Sequence, residues 1–454
     1  MKTILASAAG VAFATITALA QGTDTGQKAE RLDAVARSYT AENAFMGAVL
    51  VAENGRPLLD KGYGMADLEW NIPNAPDVKF RLGSLTKQFT AALILLLQQD
   101  GKLRIEDAVS KYLPDAPKSW EKITLANLLG HTSGIPDFTG AEAFAVWSMS
   151  AHTHEEEIAF FRDQPLAFEP GSQYAYSNSN YEVLGDIIEK VSGRTFGDLL
   201  RERIFQRLEM VNSGLDSDEL ILSKRAQGYQ PGETGLVHAR SESMTVPWAA
   251  GSIYSTTSDL LRWERGLFGG KLLDEASLKA MTTAGKGNYG LGVQVTMNDG
   301  VEVVKHDGGI EGFNTQLTCA PKQGLVVVVL SNVNGAAPEA MGEQLLEVAM
   351  GKPVILASER KPVPIAKEAL TKFLGAYEIK PDSALTIAVS GDSLTLQSTS
   401  GRLRSLMYQG VLNGHPRFFV PKVNAEIEFV PDAEGAVTSL IVHQNGDDTP
   451  AKKR

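Results

Sequence analysis

The stretch RLGSLTKQF, residues 81 to 89, sets a serine hydroxyl and a lysine amine three positions apart, at the start of a long apolar run. Residues three apart on a helix share a face and lie about 4.5 Å apart along its axis, within hydrogen-bonding reach. Such a serine is a nucleophile if the amine can take its proton. Free lysine is only about 0.04% neutral at pH 7, a penalty of roughly 4.6 kcal/mol that burial beside polar or cationic groups can largely remove. A helix N-terminus acts in the same direction, favouring an oxyanion near Ser84 and disfavouring charge on Lys87. For the pair taken alone, a capping serine and a lysine snorkelling to water are commoner.

Context separates these readings. Serine-x-x-lysine occurs three times, at Ser84/Lys87, Ser119/Lys122 and Ser358/Lys361. Ser119 follows Pro114 and Pro117, and Ser358 lies in a proline-flanked segment, so both read as solvated loop. Only Ser84 opens an apolar helix: Leu85 to Gln99 is apolar nearly all round and stops at Gly101, which predicts a buried helix. A second group is Tyr176-Ser-Asn178, where a phenol could relay a proton to a leaving group and an amide could hold both the lysine and a substrate carbonyl. A third is His306-Asp307-Gly308-Gly309 at the end of a predicted strand, where glycine lets a substrate approach and free N–H groups can form an oxyanion hole. The competing Lys322-Gln-Gly324 follows Pro321 and reads as a hairpin turn.

Other candidates carry less. His152-Thr-His154 with Glu155 to Glu157 has zinc-ligand chemistry, but no third histidine motif follows, and the acidic run reads as the first turn of a helix to Phe161. No metal and no cofactor is assigned. His131, within GHTSG, reads as a loop-stabilising residue. There is no Gly-x-Ser-x-Gly and no glycine-rich phosphate loop.

The elements that must position these groups are legible in outline. Residues 30 to 42 read as helix, and Gly47 to Ala52 and Pro57 to Tyr63 as a hairpin about Asn54-Gly55. Strand patterns return at Tyr289 to Met297, Val301 to His306, Asn314 to Cys319 and Leu325 to Ser331, with mostly helical pattern between the two sets. A helix from Pro338 to Met350 precedes a proline-bearing linker. From Phe373 onward, short alternating runs (Leu385 to Val389, Leu394 to Gln397, Phe418 to Val420, Ile427 to Val430, Leu440 to Val442) predict a small all-β barrel, and the tail DDTPAKKR reads as frayed. The expected division is 1–20 leader, 21–351 catalytic domain, 352–370 linker and 371–454 barrel. The first 20 residues read as a signal peptide cleaved after Ala20, so the chain is expected to be periplasmic or secreted, with no membrane span after cleavage. A net charge of −11, one unit more negative once Lys2 is removed, disfavours nucleic acid as a partner. The single cysteine, Cys319, excludes an intrachain disulfide and reads as a core thiol.

In the order serine-lysine, tyrosine-asparagine, histidine-x-glycine, with the phrases LLGHTSGIPD and FEPGSQYAYSNSNY, residues 30 to 350 resemble the penicillin-recognising serine hydrolase superfamily, in its class C β-lactamase-like branch. The resemblance implies an α/β (α+β) fold, an antiparallel sheet flanked by helices with an inserted all-helical lobe. The C-terminal part resembles a lipocalin-like barrel. The resemblance further implies Ser84 as nucleophile, Lys87 as base and Tyr176 as proton shuttle. It implies Asn178 as ligand of Lys87 and of the substrate amide, with the N–H groups of Ser84 and Gly309 as oxyanion hole. His306 stands where β-lactamases and D,D-peptidases use a lysine near the substrate carboxylate, and is more like the D-aminopeptidase and esterase relatives. The leading expectation is an acyl-enzyme hydrolase of a small ester, amide or D-amino-acid-containing peptide. The alternatives are a β-lactamase or D,D-carboxypeptidase, and a non-catalytic binding protein. Self-association is left open.

Overall fold

The computed structural model describes residues 26–40, 43–232, 235–381, 383–391, 393–399, 403–421 and 423–454. The signal-peptide reading of residues 1–20 lies outside them. No helix among the described residues is long and apolar enough to cross a membrane.

The first domain is built on a six-stranded antiparallel sheet. Its strands are β1 (Gly47–Glu53), β2 (Arg56–Tyr63), β3 (Gln294–Asn298), β4 (Val301–Ile310), β5 (Phe313–Ala320) and β6 (Leu325–Ser331), in spatial order β3-β4-β5-β6-β1-β2. Asn54 and Gly55 both have positive φ, 51° and 73°, which a two-residue turn matched to strand twist requires. The strands at the centre are apolar on both faces because both faces are covered. Ala48, Leu50 and Ala52 of β1, with Val326, Val328 and Leu330 of β6, enter the larger core. Val49, Val51, Val327 and Val329 point the other way, onto helix α1 (26–38) and a C-terminal helix, Ala337–Ala349.

The larger core is shared with the helical region between β2 and β3. At its centre is α2 (Thr86–Gln99), buried from Thr86 to Leu97. Around it lie α3 (His154–Phe161), α4 (Ser179–Ser192), the single-turn α5 (Trp248–Gly251) and α6 (Thr257–Phe268). Each fully buried leucine of α2 contributes about 1.5–3 kcal/mol, so the helix that carries the serine-lysine pair is also a main support of the domain.

The second unit is a closed eight-stranded barrel. Its strands are β7 (Gly375–Lys380), β8 (Ser383–Ser390), β9 (Ser393–Ser398), β10 (Arg404–Leu412), β11 (His415–Phe419), β12 (Ala425–Pro431), β13 (Val437–Gln444) and β14 (Asp447–Lys453). Three expectations are corrected. The tail is not frayed: β14 pairs with β13 and β7 and closes the barrel, with Ala451 buried. Its charges lie on a strand paired at both edges, and Lys453 lies over the Tyr377 ring. Strand β3 begins at Gln294 rather than Tyr289, because residues 289–293 turn to bring the Tyr289 side chain into the interior. Strand β4 runs past His306 to Ile310, through the glycines.

Candidate active site

Ser84 lies on a single 3-10 turn, Gly83–Leu85, that runs directly into α2. Its hydroxyl caps nothing: no side chain caps the N-terminus of either the turn or the helix. Lys87, one turn on and fully buried, places Nζ 3.0 Å from Ser84 Oγ, 2.8 Å from Asn178 Oδ1 and 2.9 Å from the Ala250 carbonyl oxygen. Two of these partners only accept. A neutral amine has two N–H donors and one lone pair, so the amide and carbonyl oxygens take the hydrogens and the lone pair is left for the Ser84 hydroxyl.

The Asn178 amide is oriented by Asp137. Its Nδ2 lies 3.2 and 3.3 Å from the two carboxylate oxygens and its backbone N–H donates to the same group at 3.0 Å, so Oδ1 must turn to Lys87. Asn178 immediately precedes α4 but does not cap it either. Tyr176 sits two residues earlier, half-buried, its hydroxyl on the Ser84 side and its ring 5.0 Å from Lys87 Nζ. His131 braces this segment: Nδ1 accepts the Ser177 N–H at 3.1 Å and the ring packs 4.3 Å from that of Tyr176.

Strand β4 supplies the opposite wall. It pairs with β3 only as far as Lys305, so among the described residues its second half has a free edge on that side, which meets the Ser84 turn. The approach is too close for side chains. A Cβ on Gly308 would lie 2.0 Å from the Leu82 carbonyl oxygen, and one on Gly83 (φ +56°) 2.9 Å from the Gly309 nitrogen. A cleft of about 360 Å³ opens here, its wall including Ser84, Asn178, Gly309, Phe138, Phe144 and Ile310.

A profile of the family described as Beta-lactamase matches residues 32–349, and one described as Domain of unknown function (DUF3471) matches residues 359–453. The chain belongs to the beta-lactamase family. A penicillin-binding protein of Bacillus subtilis is 27% identical over 93% of this chain and 98% of its own length. The solved octameric penicillin-binding protein homologue from Pyrococcus abyssi superposes with a TM-score of 0.68 at 26% identity, over 93% of this chain and 99% of that one. A D-stereospecific amidohydrolase from a Streptomyces species gives 0.59 at 26%, over 72% and 97%.

In this member of the beta-lactamase family, burial pushes the Lys87 amine down to about 7, against the pull of Asp137, Glu182 and Asp307. Burial moves the Tyr176 phenol the other way, well above its ordinary value. The arrangement therefore offers a neutral amine as proton acceptor and a neutral phenol as proton donor. His306 is buried and closed in: its Nδ1–H donates to the Asp307 carbonyl, and Tyr289 donates to Nε2 at 2.8 Å. Burial keeps it below its ordinary value, hence neutral. Neither His306 nor Gly308 is among the described residues lining the cleft, whereas Ser84, Asn178 and Gly309 are.

Asp137 and Ala250 were not singled out by sequence reasoning. Asp137 ends the quoted phrase LLGHTSGIPD and could have been found through it. Ala250 contributes a backbone carbonyl, for which no side-chain signal exists.

Proposed function

We propose that the chain is a hydrolase that forms an acyl-enzyme on Ser84 from a small ester, amide or D-amino-acid-containing peptide. The observation that carries this reading is the three-point fixation of Lys87, which leaves one lone pair facing one hydroxyl. Lys87 takes the Ser84 proton as Oγ adds to the carbonyl carbon. The oxyanion forms at the N-terminus of α2, against the N–H groups of Ser84 and Gly309. Tyr176 passes the proton to the departing oxygen or nitrogen, and water later releases the acyl group.

The cleft bears on the substrate. Its wall includes the carboxyl groups of Glu242 and Glu311, and the nearby guanidinium groups are engaged, Arg240 with Glu311 and Arg81 with Asp216. Burial raises Glu242 to about 7. A neutral His306 sealed by Tyr289 offers little attraction to a carboxylate. A cleft wall with no Lys or Arg among the described residues and a neutral His306 support acyl donors without a carboxylate over the anionic β-lactams and D-alanyl peptides. Turnover of p-nitrophenyl acetate, a D-alanine p-nitroanilide and a cephalosporin by the purified protein and by Ser84→Ala tests this. Ser84-dependent hydrolysis of the first or second, with the cephalosporin at least about 100-fold slower, is expected. Preferred cephalosporin turnover would favour the β-lactamase alternative, and no Ser84-dependent turnover of any would refute the proposal.

A further inference from the structure

The cleft that holds Ser84 has two carboxyl groups that the catalytic scheme does not use. Glu311 stands in the two-residue turn from β4 to β5, since Ile310 pairs with Phe313. Glu242 comes from the loop before α5 and is held by its two following neighbours. The Ser243 N–H donates to the Ser148 carbonyl at 2.9 Å, and the Met244 N–H to Asp218 at 3.1 Å. Glu242 and Glu311 line the cleft together with Ser84 and Gly309, and both also line a polar pocket next to it whose described walls include neither Ser84 nor Gly309. They therefore form an end wall of the cleft, set apart from the nucleophile.

The cleft also has a direction. Tyr176 hands its proton to the leaving group, and its ring lies 6.3 Å from that of His306, three residues before Gly309 on β4. The leaving group thus departs toward His306, and the acyl group extends the other way along β4, past Ile310 to Glu311. Glu311 is two residues beyond Gly309, at most about 7 Å of chain. Over that distance Phe138, Phe144, Val246 and Pro247 offer apolar wall.

The charge at the end wall is unbalanced. Arg240 is engaged by Glu311 at 2.5 Å, and Arg81 and Arg225 by Asp216 at 2.9 and 2.8 Å, while Glu242 has no ion pair among the described residues. Burial first, and the Glu311 charge second, hold Glu242 up at about 7, against the pull of Arg81 and Arg240. A cation at this wall offsets both effects, whereas an anionic or apolar group leaves a desolvated carboxylate uncompensated.

We propose that Glu242, with Glu311, selects the acyl group: the cleft takes an acyl donor whose apolar body ends in a cationic amine, and Glu242 binds that charge. The proposal rests on Ser84 being the nucleophile and on Tyr176 serving the leaving group. An amine several bonds from the reacting carbonyl is then the mark of a substrate.

The test uses two fluorophosphonates that differ only at the end of a hexyl chain, trimethylammonium in one and tert-butyl in the other, so that shape is kept and charge is not. Their rates of Ser84 labelling in the full-length protein are compared by intact mass at pH 8, where Glu242 is ionised. The ratio of the two rates removes any effect common to both probes, including the charge state of Lys87 and a merely structural role of either glutamate. Wild type should label at least about tenfold faster with the cationic probe, and Glu242→Gln should lower that ratio at least about fivefold. Glu311→Gln, which also releases Arg240, should lower it too, and decides if Glu242→Gln does not fold. A wild-type ratio near one, or an unchanged ratio in the variant, would overturn the proposal and leave Ser84 as nucleophile. Absence of a Ser84-dependent adduct from either probe would instead overturn the underlying reading, and the proposal with it.

Discussion

At the residue scale, the chemistry of the site depends on which side chains are free and which are already committed. Ser84 lies inside the turn that leads into α2 and Asn178 at the N-cap of α4, and the side chain of neither caps a helix. Their polar atoms converge on Lys87 instead. Because the neutral amine is the working form, acylation should rise with pH through about 7 and be lost as Lys87 protonates below it, which a labelling-rate profile checks. Lys87→Ala and Tyr176→Phe should each slow acylation by at least about 100-fold at pH 7.5. Asp137→Asn should slow it by roughly 10-fold, the scale of one lost hydrogen bond, because an amide at 137 no longer dictates how the Asn178 amide faces. Stopped-flow labelling of folded variants measures all three.

At the scale of elements, the site is the meeting of a 3-10 turn, the start of α4, the single turn α5 and the free edge of β4. The closeness of β4 to the turn is what Gly308 allows. Gly308→Ala should cost about 1–3 kcal/mol or more and slow Ser84 labelling, since its Cβ displaces the Leu82 peptide two residues before the nucleophile. Thermal unfolding and labelling rate should fall together. Much of this layer was legible. The Asn54-Gly55 hairpin and the strand Leu325 to Ser331 stand where apolar runs and turn chemistry place them, and the apolar run after Ser84 is the buried α2. What was not legible depends on contacts far apart in sequence. Strand β4 continues through two glycines because β5 pairs with it there, and Tyr289 leaves the strand pattern to reach His306. Neither partner is signalled locally.

At the scale of the whole molecule, the barrel follows a beta-lactamase-family domain whose described cleft residues all precede residue 335. Barrel closure rests on β14, which local reading took for a polar tail because charged residues dominate it. Its pairing with β7, some 70 positions earlier, is a property of topology alone. Deleting residues 447–454 should open the edges of β7 and β13, promote aggregation or loss of the barrel's own unfolding transition, and leave Ser84 labelling within about threefold of wild type. Light scattering, calorimetry and labelling on one preparation check the three parts. Contacts at the seam include Arg360 with Glu426 at 2.8 Å, the Val363 N–H donating to the Tyr408 carbonyl at 2.8 Å, and Gly446 close to Ala336 and Ala340 at the start of the C-terminal helix of the first domain.

The central claim is that one serine, activated by one buried amine, becomes acylated. Intact-mass spectrometry after incubation with a fluorophosphonate measures this directly on wild type, Ser84→Ala and Lys87→Ala. The account predicts a single adduct on the wild-type chain, none on Ser84→Ala, and strongly slowed formation on Lys87→Ala. An adduct that persists in Ser84→Ala, or one that forms at the wild-type rate without Lys87, would contradict it.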